Sequence, residues 1–164
     1  MTNLLFDFDG TLFESSTGIY TSFKYACELH NLTLPNSSDF TALIGPPVGT
    51  IFDILYPGSS TEHRSNFISS FRYHYDSIGY KLSKPYDEIS RLLYSINSSV
   101  QYSKPTIVTN KPTAPTRNLL LQHNLLHFFE FIIGIDYLSS DSNKILFTSK
   151  TEAILHAMSI INKP

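Results

Sequence analysis

NLLFDFDGTLFES, residues 3–15, decides how the rest of the chain is read. Residues 4–8 form a short apolar run bounded by Asp and Gly, the pattern of a strand buried on both faces of a parallel sheet. Two carboxylates, Asp7 and Asp9, stand at the end of that run, and Gly10 follows at once. Ligands of open parallel sheets bind beyond the carboxyl ends of the strands, so these acids lie where chemistry is expected. A strand has a side-chain period of two, which predicts that Asp7 and Asp9 lean to the same side, close enough to share a divalent cation that offsets their repulsion. Gly10 lets the backbone turn and approach a ligand closely.

Two comparable runs follow. PTIVTNK (residues 105–111) and FFEFIIGID (residues 128–136) carry β-branched residues and stop at polar or glycine punctuation. Between them TAPTRNLLLQHN (residues 113–124) reads as a helix, with Pro115 in its first turn and Leu119, Leu120 and Leu121 as an apolar face. Strand, helix, strand is the βαβ unit of a parallel sheet. Residues 86–96 read as a crossover helix burying Ile89, Leu92, Leu93 and Ile96, and residues 149–161 as an amphipathic helix.

Residues 16–82 change character. Helical patterns occur at 18–30, 38–43, 48–56 and 61–77, with turns at GPPVG (45–49) and YPGSS (56–60). The expected architecture is an α/β core of residues 1–15 and 83–164, interrupted after its first strand by an α-helical cap subdomain of residues 16–82.

Composition sets limits on partners and compartment. A chain of 164 residues with 41% hydrophobic content buries one substantial core, and a net charge of -2 argues against nucleic acid or an anionic membrane surface as partner. The single cysteine, Cys27, cannot form an internal disulfide and recurs with Ile19, Phe23 and Ala26 at helical spacing, as a buried structural thiol does. No apolar run approaches the roughly 20 residues of a membrane span, and the first residues lack the basic start of a signal peptide. A reducing cytoplasm is the expected location.

A carboxylate held against Mg²⁺ can attack phosphorus, and a second acid two residues on can protonate the leaving oxygen and later activate water. Thr109, Asn110 and a nearby backbone N–H can bind phosphoryl oxygens, with a lysine supplying positive charge. DFDGTL (residues 7–12) resembles the first motif of the haloacid dehalogenase superfamily, and VTNK (residues 108–111) resembles its second. The placement of GPPVG and FRYHYDSIGY (residues 71–80) in a helical cap resembles the phosphoglycolate phosphatase and nucleotidase-like branch. The likeness runs from residue 3 to about residue 161.

That resemblance implies a Rossmann-like parallel-sheet core and Mg²⁺-dependent hydrolysis of a small phosphomonoester, phosphoglycolate- or nucleotide-like, through an aspartyl-phosphate. It makes Asp7 the nucleophile and a metal ligand. Asp9 becomes the general acid/base, giving its backbone carbonyl to the metal, while Gly10, Thr109 and Asn110 surround the phosphate. Lys150 is the third-motif lysine, with Lys144 as the alternative.

The family's fourth motif, an acidic pair at the end of a fourth strand, does not occur before Pro164. That strand ordinarily lies beside the first, so residues 4–8 are expected at an open edge with Asp7 exposed, available to a second copy or a partner. The alternative function is accordingly a shortened, catalytically impaired relative, either a remnant or a module binding a phosphorylated ligand or a protein. Glu14 matches a position often acidic in the family but reads as a solvent-facing loop carboxylate. His123 and His127 are four apart, yet a helix ending near Asn124 separates their rings. Arg64, Arg72 and His74 are candidate contacts to an anionic substrate.

Overall fold

The computed structural model describes residues 1–136 and 146–161. Chain order gives β1 (Leu5–Phe6) and β2 (Phe13–Glu14), then α1 (Ser16–Leu29), α2 (Ser37–Thr41), α3 (Val48–Leu55) and α4 (Thr61–Ser77). There follow β3 (Lys84–Pro85), α5 (Ile89–Asn97), β4 (Thr106–Thr109), α6 (Thr113–Gln122), β5 (Phe131–Gly134) and α7 (Lys150–Ile161). Two compact units result, one of Met1–Phe13 with Pro85–Pro164 and one of Glu14–Lys84. None of the described helices is long and apolar enough to cross a membrane.

The first unit packs helices α6 and α7 on a parallel sheet of order β1-β4-β5. Leu5 and Phe6 stand opposite Thr106 and Ile107, and Thr106 through Thr109 stand opposite Phe131 through Gly134. The central strand β4 is buried along its whole length, as its β-branched run requires. Ala153 and Ala157 of α7 pack on Val108 and Ile133, where small side chains let the helix lie close to the sheet.

Three local expectations need correction. The first strand is not buried on both faces, since Leu5 is 37% exposed and Phe6 only half-buried; among the described residues β1 pairs with β4 alone. It also ends at Phe6, so Asp7 and Asp9 lie in the following turn and strand alternation does not orient them. Leu92 and Leu121 are exposed rather than buried. A helix turns about 100° per residue, so Ile89, Leu93 and Ile96 share one stripe and Leu119 and Leu120 another, leaving their neighbours outside.

The second unit is helical, with an aromatic core. Phe67, Phe71 and Tyr75 recur every four residues along α4 and meet Phe23 of α1, Phe40 of α2 and Phe52 of α3. Phe23 and Phe67 meet edge to face with ring centroids 4.9 Å apart, a favourable quadrupole geometry. Helix starts are capped by side chains: Asn36 accepts the Asp39 N–H at 2.9 Å and Ser60 accepts the His63 N–H at 3.1 Å. Cys27 is buried here, as its helical spacing predicts, with its sulfur 3.1 Å from the Tyr56 hydroxyl. Burial pushes the Cys27 thiol pKa up, which keeps it protonated and unreactive.

Two local devices fix the first unit near the carboxyl end of its sheet. Gly134 closes β5, and a Cβ there would lie 2.4 Å from the Lys111 carbonyl oxygen and 2.6 Å from the Thr113 nitrogen. The β4–α6 loop therefore rests directly on β5 backbone. At the start of α7, Ser149 accepts the Glu152 N–H at 3.2 Å, while the Glu152 carboxylate accepts from the Thr148 N–H at 2.8 Å and the Thr148 hydroxyl at 2.9 Å. This is a variant of the capping box, and it orders the turn that carries Lys150.

Gly134→Ala should cost about 1 to 3 kcal/mol in urea unfolding, because backbone rather than a movable side chain occupies the space. The Thr148 amide, then its hydroxyl, hold the Glu152 carboxyl below its ordinary value of 4.5. Its capping contribution is thus complete above that pH and lost as pH falls through the lower, folded-state value. Amide protection factors in the first turn of α7 should fall on acidification in the parent, and Glu152→Gln should make them independent of pH over that range.

Candidate active site

The carboxyl ends of the three parallel strands gather the motif residues on one edge of the sheet. Asp7 follows β1 directly, and its Oδ1 accepts the Phe8 N–H at 2.8 Å. Its Oδ2 pairs with the ammonium of Lys150, the first residue of α7. Both side chains of that pair are partly open, 40% for Asp7 and 30% for Lys150.

Asp9 sits one step further into the turn. Its Oδ1 accepts a hydrogen bond from the Lys111 ammonium at 3.0 Å; Lys111 is only 2% exposed and Asp9 19%. Gly10 adopts a φ of +76°, a left-handed conformation that a side chain would strain, and its N–H donates to the Phe13 carbonyl at 2.8 Å. The turn closes on itself when the Leu12 and Phe13 amides both donate to the Phe8 carbonyl, at 2.9 and 3.0 Å. Phe8 stacks on Phe13 with ring centroids 4.5 Å apart, which gives the turn an apolar floor.

Thr109 ends β4 and is buried; its Oγ1 accepts the Lys111 N–H at 3.1 Å. Asn110 is the next residue and is half-buried. Asp136, just past β5, clamps the following helix: its Oδ1 accepts the Thr113 N–H and its Oδ2 the Thr113 hydroxyl, both at 2.9 Å. Thr113 opens α6, where a carboxylate also meets the positive end of the helix dipole.

Asp7 and Lys150 are thus in contact, as are Asp9, Thr109 and the VTNK lysine. Lys144 lies outside the described residues. Lys111 and Asp136 were not singled out from the sequence. Lys111 ends a quoted motif, but nothing in the letters says that its ammonium is buried. Asp136 stands at a strand's carboxyl end, the same signal that identified Asp7.

In the helical unit, Arg64 is engaged by Asp53 at 2.7 Å, and His74 lies 3.0 Å from the Ser22 hydroxyl and stacks on Tyr25. Arg72 is half-buried on α4. The Glu14 carboxylate is not a free loop acid, since it accepts from the amide and hydroxyl of Ser16. His123 packs edge-on to Phe13 and His127 lies against Phe128, so their rings do have separate environments.

Chemically, the site presents the Asp7 and Asp9 carboxylates, the partly open Lys150 ammonium and the Thr109 hydroxyl, with the buried Lys111 ammonium held against Asp9 rather than open to a ligand. Such a set suits a group whose charge is negative before, during and after reaction.

Known proteins share this arrangement of chain. Tyrosine-protein kinase PtkA of Mycobacterium tuberculosis is 27% identical over 155 residues, which are 94% of this chain and 50% of that protein. A phosphoglycolate phosphatase of Aquifex aeolicus is 29% identical over 136 residues, 83% of this chain and 62% of that one. The chain therefore spans about half to three-fifths of the length of these curated relatives. A solved haloacid dehalogenase-like family hydrolase from Streptococcus pneumoniae superposes with a TM-score of 0.83 at 25% identity, covering 98% of this chain and 70% of that one. The sequence profile of haloacid dehalogenase-like hydrolases matches residues 4–156, nearly the whole chain. With Asp7, Thr109 and Lys150 gathered at the ends of a parallel sheet, the chain belongs to the haloacid dehalogenase-like hydrolase family.

Proposed function

We propose that this chain carries the chemistry of a phosphatase that hydrolyses a small phosphomonoester, phosphoglycolate- or nucleotide-like, through an aspartyl-phosphate. The observation that carries the reading is the pair of acids at the end of β1, each held by its own lysine, beside the Thr109 hydroxyl. An Asp7 carboxylate oxygen attacks phosphorus, the bond from phosphorus to the ester oxygen breaks, and Asp9 gives a proton to that leaving oxygen. Asp9 then takes a proton from water as the water oxygen attacks phosphorus, which frees Asp7 and releases inorganic phosphate. Thr109, Asn110 and Lys150 hold the phosphoryl oxygens throughout, neutralising charge where it develops.

The all-oxygen donor set fits Mg²⁺, which commonly binds one or two carboxylates and completes its shell with water and substrate phosphate. Asp7 and Asp9 would hold it, and when bound it supplies charge neutralisation at the phosphoryl group. The helical unit Glu14–Lys84 is the proposed cap that selects the substrate. A second reading keeps the same phospho-Asp7 but passes the phosphoryl group to a tyrosine hydroxyl instead of water. The likeness to a protein described as a tyrosine kinase over 94% of this chain favours it.

Hydrolysis of p-nitrophenyl phosphate with Mg²⁺ should fall at least about 1,000-fold in an Asp7→Asn variant, as expected when a nucleophile is removed. Equal rates in the two proteins end both readings and leave a binding module. Phosphate appearing on an added tyrosine peptide, rather than in solution, selects the second.

A further inference from the structure

We propose that Lys111 is a positioning residue that fixes both the proton-transferring oxygen of Asp9 and the donor direction of the Thr109 hydroxyl. The inference rests on the phosphatase reading above and extends it to a residue outside the motif positions that the resemblance assigns.

The first observation is burial. An ammonium at 2% exposure is far more costly to keep than the half-open Lys150, and lysines ordinarily reach back to water. Lys111 instead turns inward, its Nζ 3.0 Å from Asp9 Oδ1 and 5.6 Å from the centroid of the Phe8 ring. It reaches across 102 positions of sequence to do so. The loop that carries it has little freedom, because Thr113 is clamped by Asp136 and the Lys111 carbonyl rests where a Gly134 side chain would be.

The second observation is the direction of the hydrogen bonds. With Oδ1 engaged by the Lys111 ammonium, Oδ2 is the oxygen turned to proton transfer, so the contact selects one oxygen and one carboxylate rotamer. The Lys111 N–H fills a lone pair of Thr109 Oγ1, so the single hydroxyl proton points elsewhere and is available to a phosphoryl oxygen. One residue thereby sets two groups that act at opposite ends of the ester bond. A general acid must lie within hydrogen-bond reach of the leaving oxygen, and a misplacement of about 1 Å costs on the order of 100-fold.

Leaving groups separate this role from a merely structural one. Nitrophenolate departs without a proton, whereas an alkoxide needs one. Lys111→Met removes the contact to Asp9 but keeps the backbone N–H that Thr109 accepts, so it should lower kcat/KM for glycerol 2-phosphate about 100-fold while leaving kcat/KM for p-nitrophenyl phosphate within about threefold. Lys111→Arg, which keeps the charge and tolerates burial, should show the same selective loss in smaller degree, and it serves if the methionine variant does not fold. Equal losses on both esters, or none on either, overturn the proposal. If Asp7→Asn leaves the rates unchanged, the phosphatase reading fails, and the contact is judged by ¹⁵N NMR of the lysine side chains. Asp9→Asn should then shift the Lys111 ammonium resonance and speed its proton exchange. An unmoved resonance overturns the positioning as well.

Discussion

Three strands running in one direction are the constraint on which the rest depends. In a parallel sheet every strand delivers its carboxyl end to the same edge, and the register of β4 against β1 and β5 brings Asp7, Thr109 and Asp136 there from three distant stretches of sequence. Backbone ladders stop at that edge, so side chains take over their work. The Asp7 carboxylate accepts a main-chain amide, Thr109 accepts another, and Asp136 a third. Groups that would otherwise be unpaired become the parts that orient the site.

Charge at that edge is balanced in pairs. Asp7 and Asp9 are two residues apart and would repel, but each has an ammonium in contact, one half-open and one buried. The two pairs differ in kind. Lys150 is partly open to solvent, while the Lys111 side chain is buried with Asp9 and the Phe8 ring among its neighbours. An exposed ion pair is weak and exchangeable, whereas a buried one resists separation, so the same two residue types form contacts of different strength.

Much of this was legible in the letters. The apolar run before Asp7, the VTNK stop after β4 and the helical periodicities of the insert led to the α/β class and to most elements within a few residues. What stayed hidden had physical causes. Strand alternation was extended past Phe6 because sequence does not mark where pairing ends, yet the relation of Asp7 to Asp9 is set by a turn closed on the Phe8 carbonyl. Leu92 and Leu121 read as core because adjacent leucines look alike until a helix phase is chosen. The burial of the Lys111 charge is not legible in the letters, because the Asp9 carboxylate that it meets is remote in sequence. The short strands β2 and β3 have no apolar pattern of their own, and their two-residue pairing lies where the chain passes between its two units.

That last feature bears on how the chain reaches its native state. The first pairing in the sheet joins Leu5 to Thr106, so forming it from a disordered chain closes a loop of about a hundred residues. Phe13–Glu14 and Lys84–Pro85 make a two-stranded sheet, which brings the two ends of the helical unit side by side. Once helices α1 to α4 have condensed through local contacts, the stretch between β1 and β4 shortens to a pair of strands and one helix. Pairing Phe13–Glu14 with Lys84–Pro85 before β1 meets β4 therefore shortens the loop that the β1–β4 pairing has to close.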